Sequence, residues 1–294
     1  SAESASPIDA SPIIHYSFDN ALTSKTIANE GSAANSDATL SGDATVANGQ
    51  INLTGSQTIS VPTTAIAGKK DVTVSIWLKN NYGNGNNAAA YIGAAKTGNY
   101  PANGYWLLNP ANPSGYAKSV MTNATVADPD NSPWGTEVGP GSTNAATTGT
   151  KATSDLALYT TVISGTNSTM SFYLNGKQVG DVTYTIPAGG LTNYGDLVAY
   201  IGKSSYADPN SKLDVDDYAV YDTAISAADV TKLYDAQVLD KAEAAVKAAV
   251  PASATEDFAL PTSAAGVSIA WKSDNAAIAV DNATGKATVT RPAA

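Results

Sequence analysis

The stretch HYSFDN, residues 15–20, carries the only histidine of the 294-residue chain, with Asp19 four positions further on. A histidine beside a carboxylate can move protons or hold a metal, and either use requires further partners at hydrogen-bonding distance. Strand alternation turns Tyr16 and Phe18 to one side and His15 and Ser17 to the other, so the rings are expected in a core and His15 on an outer face. No chemical partner for His15 is evident in the sequence, and it reads as an ordinary strand residue. The chain has no cysteine, which excludes thiolate nucleophiles, disulfides and Cys-based metal sites. Its five glutamates, Glu3, Glu30, Glu137, Glu243 and Glu256, are far apart in sequence. Glycoside hydrolysis needs two carboxylates at a fixed separation, and acyl transfer needs a serine or cysteine with a base. Neither set is visible, although an aspartate pair gathered by the fold is not excluded by sequence. The fragment is expected not to be an enzyme.

Aspartate, by contrast, is abundant, and Asp214, Asp216 and Asp217 crowd into the word LDVDDYAVY. If this strand pairs with the one that ends at Asp19, Asp19 and Asp216 converge. Alternation with Tyr218 and Val220 places Asp216 on the core side. A buried carboxylate there needs a cation or several donors, so either an ion or a set of backbone N–H groups is expected to meet it. Loop oxygens at Asn48 and Gly49 are candidates to complete a metal shell. The word DPDNSPWG, residues 128–135, is a second and weaker acidic candidate without the spacing of an EF-hand loop.

A third group is aromatic. Between residues 80 and 135, Tyr82, Tyr91, Tyr100, Tyr105, Trp106, Tyr116 and Trp134 are interleaved with Asn, Gly and Pro. Flat rings among amides suit sugar recognition, because a sugar presents C–H faces for stacking and hydroxyls for hydrogen bonds. Tyr91 and one of Tyr105 and Trp106 fall in strand patterns and suit a core equally well. Tyr82, Tyr100 and Trp134 fall in turns.

These residues must be positioned by strands. From residue 13 to 222, short Val-, Ile-, Tyr- and Thr-rich runs alternate with turn clusters, and no helical pattern intervenes. Asn175-Gly176 within TMSFYLNGKQVGD marks a hairpin with a type I′ turn. The expected class is all-β, a two-sheet antiparallel jelly-roll sandwich. A helix is expected from an N-cap at Ser226 to the stop at Pro251, and its apolar spacing suits packing between two units. Strand patterns then resume in EDFALP, GVSIAWKS, AIAVDN and KATVTRP. The expected organisation is a polar N-terminal tail over 1–12, the sandwich over 13–236, a connecting helix over 237–250, and a partial Ig-like β domain over 251–294. Net charge is −10 with a single arginine, Arg291, which argues against nucleic-acid binding, and no apolar run is long enough to span a membrane.

The words HYSFDN, DVTVSIWLKN, SFYLNGKQVG and AYIGKSSYADPNSKLDVDDYAVYDTAISAADVTKLY together resemble the laminin-G-like (concanavalin A-like lectin/glucanase) jelly-roll modules of bacterial extracellular glycoside hydrolases. The tail FALPTSAAGVSIAWKSDNAAIAVDNATGKATVTRP looks like the bacterial Ig-like domain that follows such modules. The family's Trp-His pair ahead of the hairpin is missing from SDLALYTTVISG, and the 80–150 region is enlarged. Enzymes on this jelly roll carry a Glu-x-Asp-x-x-Glu strand, which is absent here.

The resemblance implies that the first and last long strands are adjacent. It also implies a structural calcium ion, for which Asp19, Asn48, Gly49 and Asp216 are the candidate ligands, and a carbohydrate-binding role. For the latter, Tyr82, Tyr100, Tyr105, Trp106, Tyr116 and Trp134 are the candidates. The implied function is a non-catalytic module that targets a secreted or surface-anchored bacterial enzyme to polysaccharide. Its partners would be a glycan and an adjacent catalytic domain of the same chain, outside the cell or on its surface. The alternative is a structural or adhesive spacer without sugar affinity.

Overall fold

The computed structural model describes residues 7–123 and 132–293. Glu3 and residues 128–131 of the DPDNSPWG segment lie outside the described residues. Two large antiparallel sheets face each other. The first runs β14 (Lys177–Gln178), β13 (Thr169–Leu174), β12 (Ala157–Ser164), β7 (Asp71–Asn80), β17 (Leu213–Tyr221), β5 (Gln50–Leu53) and β4 (Thr45–Ala47), with β15 (Tyr184–Thr185) on β13. The second runs β11 (Glu137–Val138), β10 (Lys118–Thr122), β9 (Tyr105–Asn109), β8 (Ala90–Ala94), β16 (Leu197–Ile201), β6 (Thr58–Val61), β3 (Ala38–Ser41) and β2 (Thr26–Ile27). The expected jelly-roll sandwich is what forms.

The opening strand β1 (Ile14–Tyr16) pairs with β17, so the first and last strands are adjacent as expected. Strand β17 has two partners on the same edge, β5 beside residues 213–215 and β1 beside residues 218–220. The changeover coincides with a bulge in its pairing with β7, between Val215 and Asp217. That bulge reverses the phase of the side chains, because an extra residue breaks the two-residue repeat. Val215 and Tyr218 both enter the core.

The core between the sheets is built from alternate residues of both, including Tyr16, Ile51, Ile76, Trp106, Phe172 and Tyr218, all essentially fully buried. Two hairpins close on Asn-Gly. Asn175 and Gly176 have φ of 51° and 78°, and Asn48 and Gly49 have φ of 55° and 73°, both within two-residue loops. These left-handed pairs are the conformation that Asn and Gly tolerate. A β-carbon at Gly176 would also lie 3.0 Å from Cβ of Tyr234.

Helix α1 (Ala227–Ala249) begins at Ser226, whose hydroxyl accepts the Asp229 N–H at 3.1 Å. It lies on the outer face of the first sheet. Val230 and Leu233 pack with Tyr173, Tyr221 and Ile8, while Val238 and Ala242 pack with Trp77 and Leu158. Ile8, in the segment read as a polar tail, is therefore buried. Trp77 stacks on Tyr234 and donates its indole N–H to Gln237 at 2.8 Å. Small sheets follow: β19 (Ser263–Ala264) with β20 (Val267–Ser268), and β18 (Phe258–Ala259), β22 (Lys286–Val289) and β21 (Ile278–Asp281). Ala265 N–H donates to Leu156 C=O at 2.8 Å, and Tyr234 donates to the Ala265 carbonyl, which ties the β19–β20 hairpin to the sandwich and to α1.

Candidate functional site

The second sheet leaves a cavity on its outer face. Alternation along β9 sends Trp106 and Leu108 inward and Tyr105 and Leu107 outward, where they join Tyr91 and Val120. Loops fold back over this outer cluster and enclose a pocket of about 360 Å³. That volume lies within the ~300–1,000 Å³ of small-molecule sites. Its floor is Tyr105, Leu107, Lys118 and Glu137, and its walls include Asn86, Asn87, Trp134, Tyr206 and Asp208.

Glu137 anchors the floor and is 5 % exposed. Its Oε1 accepts from Lys118 Nζ at 2.8 Å, from Thr143 Oγ1 at 2.9 Å and from Thr143 N–H at 3.2 Å. Its Oε2 accepts from Tyr105 Oη at 2.6 Å. Tyr206 Oη donates to Tyr105 Oη at 2.9 Å and lies 2.8 Å from Ser132 Oγ. A buried carboxylate is tolerable only with this many donors. Burial, then the Glu137 charge, pushes the Tyr105 phenol far above its usual range, and burial lifts Tyr206 to about 12. Both stay neutral donors. Burial also raises the Asp208 carboxyl; the Lys118 charge opposes the rise and the Glu137 charge adds to it.

At one side of the pocket stands an aromatic cluster. Trp134, 47 % exposed, contacts Tyr100 edge-on at 5.7 Å and lies tilted against Tyr206 at 6.2 Å. Tyr206 in turn meets Tyr105 and Tyr100 edge-on, at 5.4 and 6.3 Å. The amides divide into two kinds. Asn109 and Asn112 are consumed by backbone groups: their Oδ1 atoms accept from N–H groups of their own loop, and their Nδ2 groups donate to the carbonyls of Gly85, Gly141 and Ala146 in neighbouring loops. Asn87, 3 % exposed, has neither amide atom in a hydrogen bond among the described residues. A buried amide of that kind at a pocket wall is a group awaiting a partner.

Of the expected sugar-site residues, Tyr105 and Trp134 line this pocket and Tyr100 adjoins them. Trp106 is a correction: it lies wholly in the inter-sheet core, with its indole N–H on Ser119 at 3.1 Å, because it occupies the inward phase of β9. Tyr82, with Lys212 Nζ 5.8 Å from its ring centroid, and Tyr116, in a bridge with Lys151, lie outside the residues that line the pocket. Sequence reasoning missed Tyr206, Glu137, Lys118 and Asn87. Tyr206 lay in the quoted closing word SSYADPN, a turn-rich stretch that signals a loop aromatic in the same way as the Trp134 segment.

The acidic cluster lies on the other sheet. Asp216 sits in the β17 bulge and is not on the core side, a second correction: the bulge turns it with Asp217 toward α1. Lys241 Nζ stands 2.9 Å from Asp216 Oδ1 and 3.3 Å from Asp217 Oδ2, largely buried. Asp217 Oδ1 lies 2.7 Å from His15 Nε2, so His15 does have a partner, contrary to the sequence expectation. The partner was hidden because it lies 202 residues away in sequence. Burial raises the Asp216 carboxyl to about 6 against the lowering effect of Lys241.

Asp19 and Asp216 do converge, since a β-carbon on Gly49 would be 3.8 Å from Oδ1 of each. Phe18, buried with φ of 55°, adopts a strained left-handed backbone immediately before Asp19. Asn48 is an exposed turn residue. The donors are oxygens, which suits a hard cation in kind. The charge on Asp216, however, is already met by an ammonium, and no set of three or more His, Cys, Asp or Glu residues able to hold a metal gathers among the described residues.

Residues 53–231 match the family described as the concanavalin A-like lectin/glucanases superfamily. No curated protein matches the sequence. Among solved structures, the chain is similar to domain 4 of AbnA, a GH43 extracellular arabinanase from Geobacillus stearothermophilus, in complex with arabinotriose. The identity is 19 %, the TM-score 0.53, and the match spans 77 % of this chain and all of that one. It is similar to the botulinum neurotoxin serotype D ligand-binding domain in complex with N-acetylneuraminic acid (14 % identity, TM-score 0.52, 79 % of this chain and 52 % of that one). It is also similar to Trypanosoma rangeli sialidase (11 % identity, TM-score 0.51, 77 % of this chain and 33 % of that one). At these identities the likeness is one of fold. No helix among the described residues is long and apolar enough to cross a membrane.

Proposed function

We propose that this chain, which belongs to the concanavalin A-like lectin/glucanases superfamily, is a non-catalytic carbohydrate-binding module that holds its ligand in the pocket on the outer face of the second sheet. The observation that carries the reading is the meeting, in one cavity, of the exposed Trp134 ring and the half-buried Tyr206 ring with the buried amide of Asn87, unpaired among the described residues. Rings stack on the C–H faces of a sugar, and an amide offers one acceptor and a donor group to its hydroxyls. The complexes of similar fold with arabinotriose and N-acetylneuraminic acid support a sugar as the ligand class. The module belongs, on this reading, to a secreted bacterial glycoside hydrolase, and it raises the concentration of polysaccharide around a catalytic domain of the same chain. The C-terminal β segment serves as the Ig-like spacer of that arrangement. Electrophoresis through gels containing a panel of polysaccharides tests the reading. Retardation by at least one of them, reduced in Trp134→Ala and Tyr206→Ala, is expected. Free migration in every gel would instead favour a spacer, and release of reducing sugar by the chain would overturn the non-catalytic assignment.

We also propose that Asp19, Asp216 and the Asn48–Gly49 turn are a calcium site of low affinity. Lys241 is the reason for the low affinity. An ion drawn to Asp216 meets an ammonium already paired there.

A further inference from the structure

Resting on the glycan-binding reading, a further conclusion concerns which sugars the pocket accepts. Recognition of an acidic sugar needs a cation free to pair with it, best a bidentate guanidinium. Among the described lining residues the one cation is Lys118, and its ammonium is 2.8 Å from Glu137 Oε1, with Glu137 buried and Lys118 largely so. Glu137 cannot release it cheaply, since an unpaired buried charge would be left on each partner. The same carboxylate is already saturated by Thr143 and Tyr105. Asp208 adds a second carboxylate, so the lining carries two negative charges and one positive. The chain as a whole is at −10, which repels anions further.

Apart from the Asp208 carboxylate, what the lining offers a ligand is uncharged: the amides of Asn86 and Asn87 and the rings of Trp134 and Tyr206. The faces of those rings carry the negative end of the aromatic quadrupole and favour C–H groups over anions. We infer that the pocket selects neutral sugars and excludes those bearing carboxylate, sulfate or phosphate, with Asp208 and the closed Lys118–Glu137 pair as the determinants.

Titration calorimetry with matched pairs tests this: neutral oligosaccharides beside their uronate counterparts of the same linkage and length, and lactose beside sialyllactose, each at low and at physiological ionic strength. The neutral member is expected to bind about tenfold tighter or more at low salt, and the gap is expected to narrow with salt and in Asp208→Asn. An acidic member that binds as tightly as its neutral partner, or more tightly, overturns the inference while leaving glycan binding intact. Absence of heat with every ligand removes the glycan reading itself, and this inference with it.

Discussion

The rings of Trp134 and Tyr206, 72 residues apart in sequence, lie with centroids 6.2 Å apart and planes 36° from each other at the pocket wall. One hydroxyl links their placement. Ser132 caps the short 3₁₀ turn Pro133–Thr136 that presents Trp134, and the same Ser132 hydroxyl touches Tyr206 Oη. Tyr206→Phe keeps the ring and removes the hydroxyl that links Ser132 to Tyr105. The expected result is near-native stacking affinity, with a loss of stability of about 1 kcal/mol in denaturant unfolding. A loss of affinity as large as that of Tyr206→Ala would mean that the hydroxyl, not the ring, meets the ligand.

The Glu137–Lys118 pair is the electrostatic centre of the floor. Glu137→Gln leaves a largely buried ammonium without its counter-charge and is expected to destabilise by about 3–5 kcal/mol. Adding Lys118→Met should recover much of that loss. Urea melts of the single and double variants check it, and strictly additive losses would show that the two side chains do not act as a pair.

His15 is the only histidine, so its imidazole protons titrate alone in an NMR spectrum. Burial by itself lowers its pKa. The hydrogen bond and charge of Asp217 more than offset this, and the result lies above 6.5. Because the folded value exceeds the unfolded one, the stabilisation is fully present below pH 6.5 and fades as pH rises through the folded pKa. Asp217→Asn is expected to bring the His15 midpoint below 6.5. An unchanged midpoint would show that the 2.7 Å contact does not govern the titration.

Competition between Lys241 and calcium gives a further expectation. Calcium should raise the melting temperature of the native chain little over EGTA. In Lys241→Met, where the ammonium is gone, the rise should be larger, following RT ln(1+[L]/Kd). A large rise in the native chain that Lys241→Met does not increase would refute competition, and no rise in either would remove the calcium site.

Much of the sandwich was legible because period-two runs and Asn-Gly turns are local signals, and the closing word around Asp216 and Tyr218 is specific to the fold. The site was legible only in part. Trp134 and Tyr100 stood out as turn aromatics, but the choice between Tyr105 and Trp106 depends on strand phase, which a one-residue shift inverts. Asp216 was misplaced for the same reason, because a bulge is invisible to an alternation rule. Glu137 gave no local signal: its partners Tyr105, Lys118 and Thr143 come from two strands and a loop that meet only in the folded chain.

The most direct test of sugar binding in this pocket is a calorimetric titration of the native chain, Trp134→Ala and Tyr82→Ala with a neutral oligosaccharide that retards the native chain in gels. Loss of about 1–2 kcal/mol of binding free energy in Trp134→Ala, with Tyr82→Ala unchanged, is the predicted result. Undiminished binding by Trp134→Ala, or a loss confined to Tyr82→Ala, would contradict it.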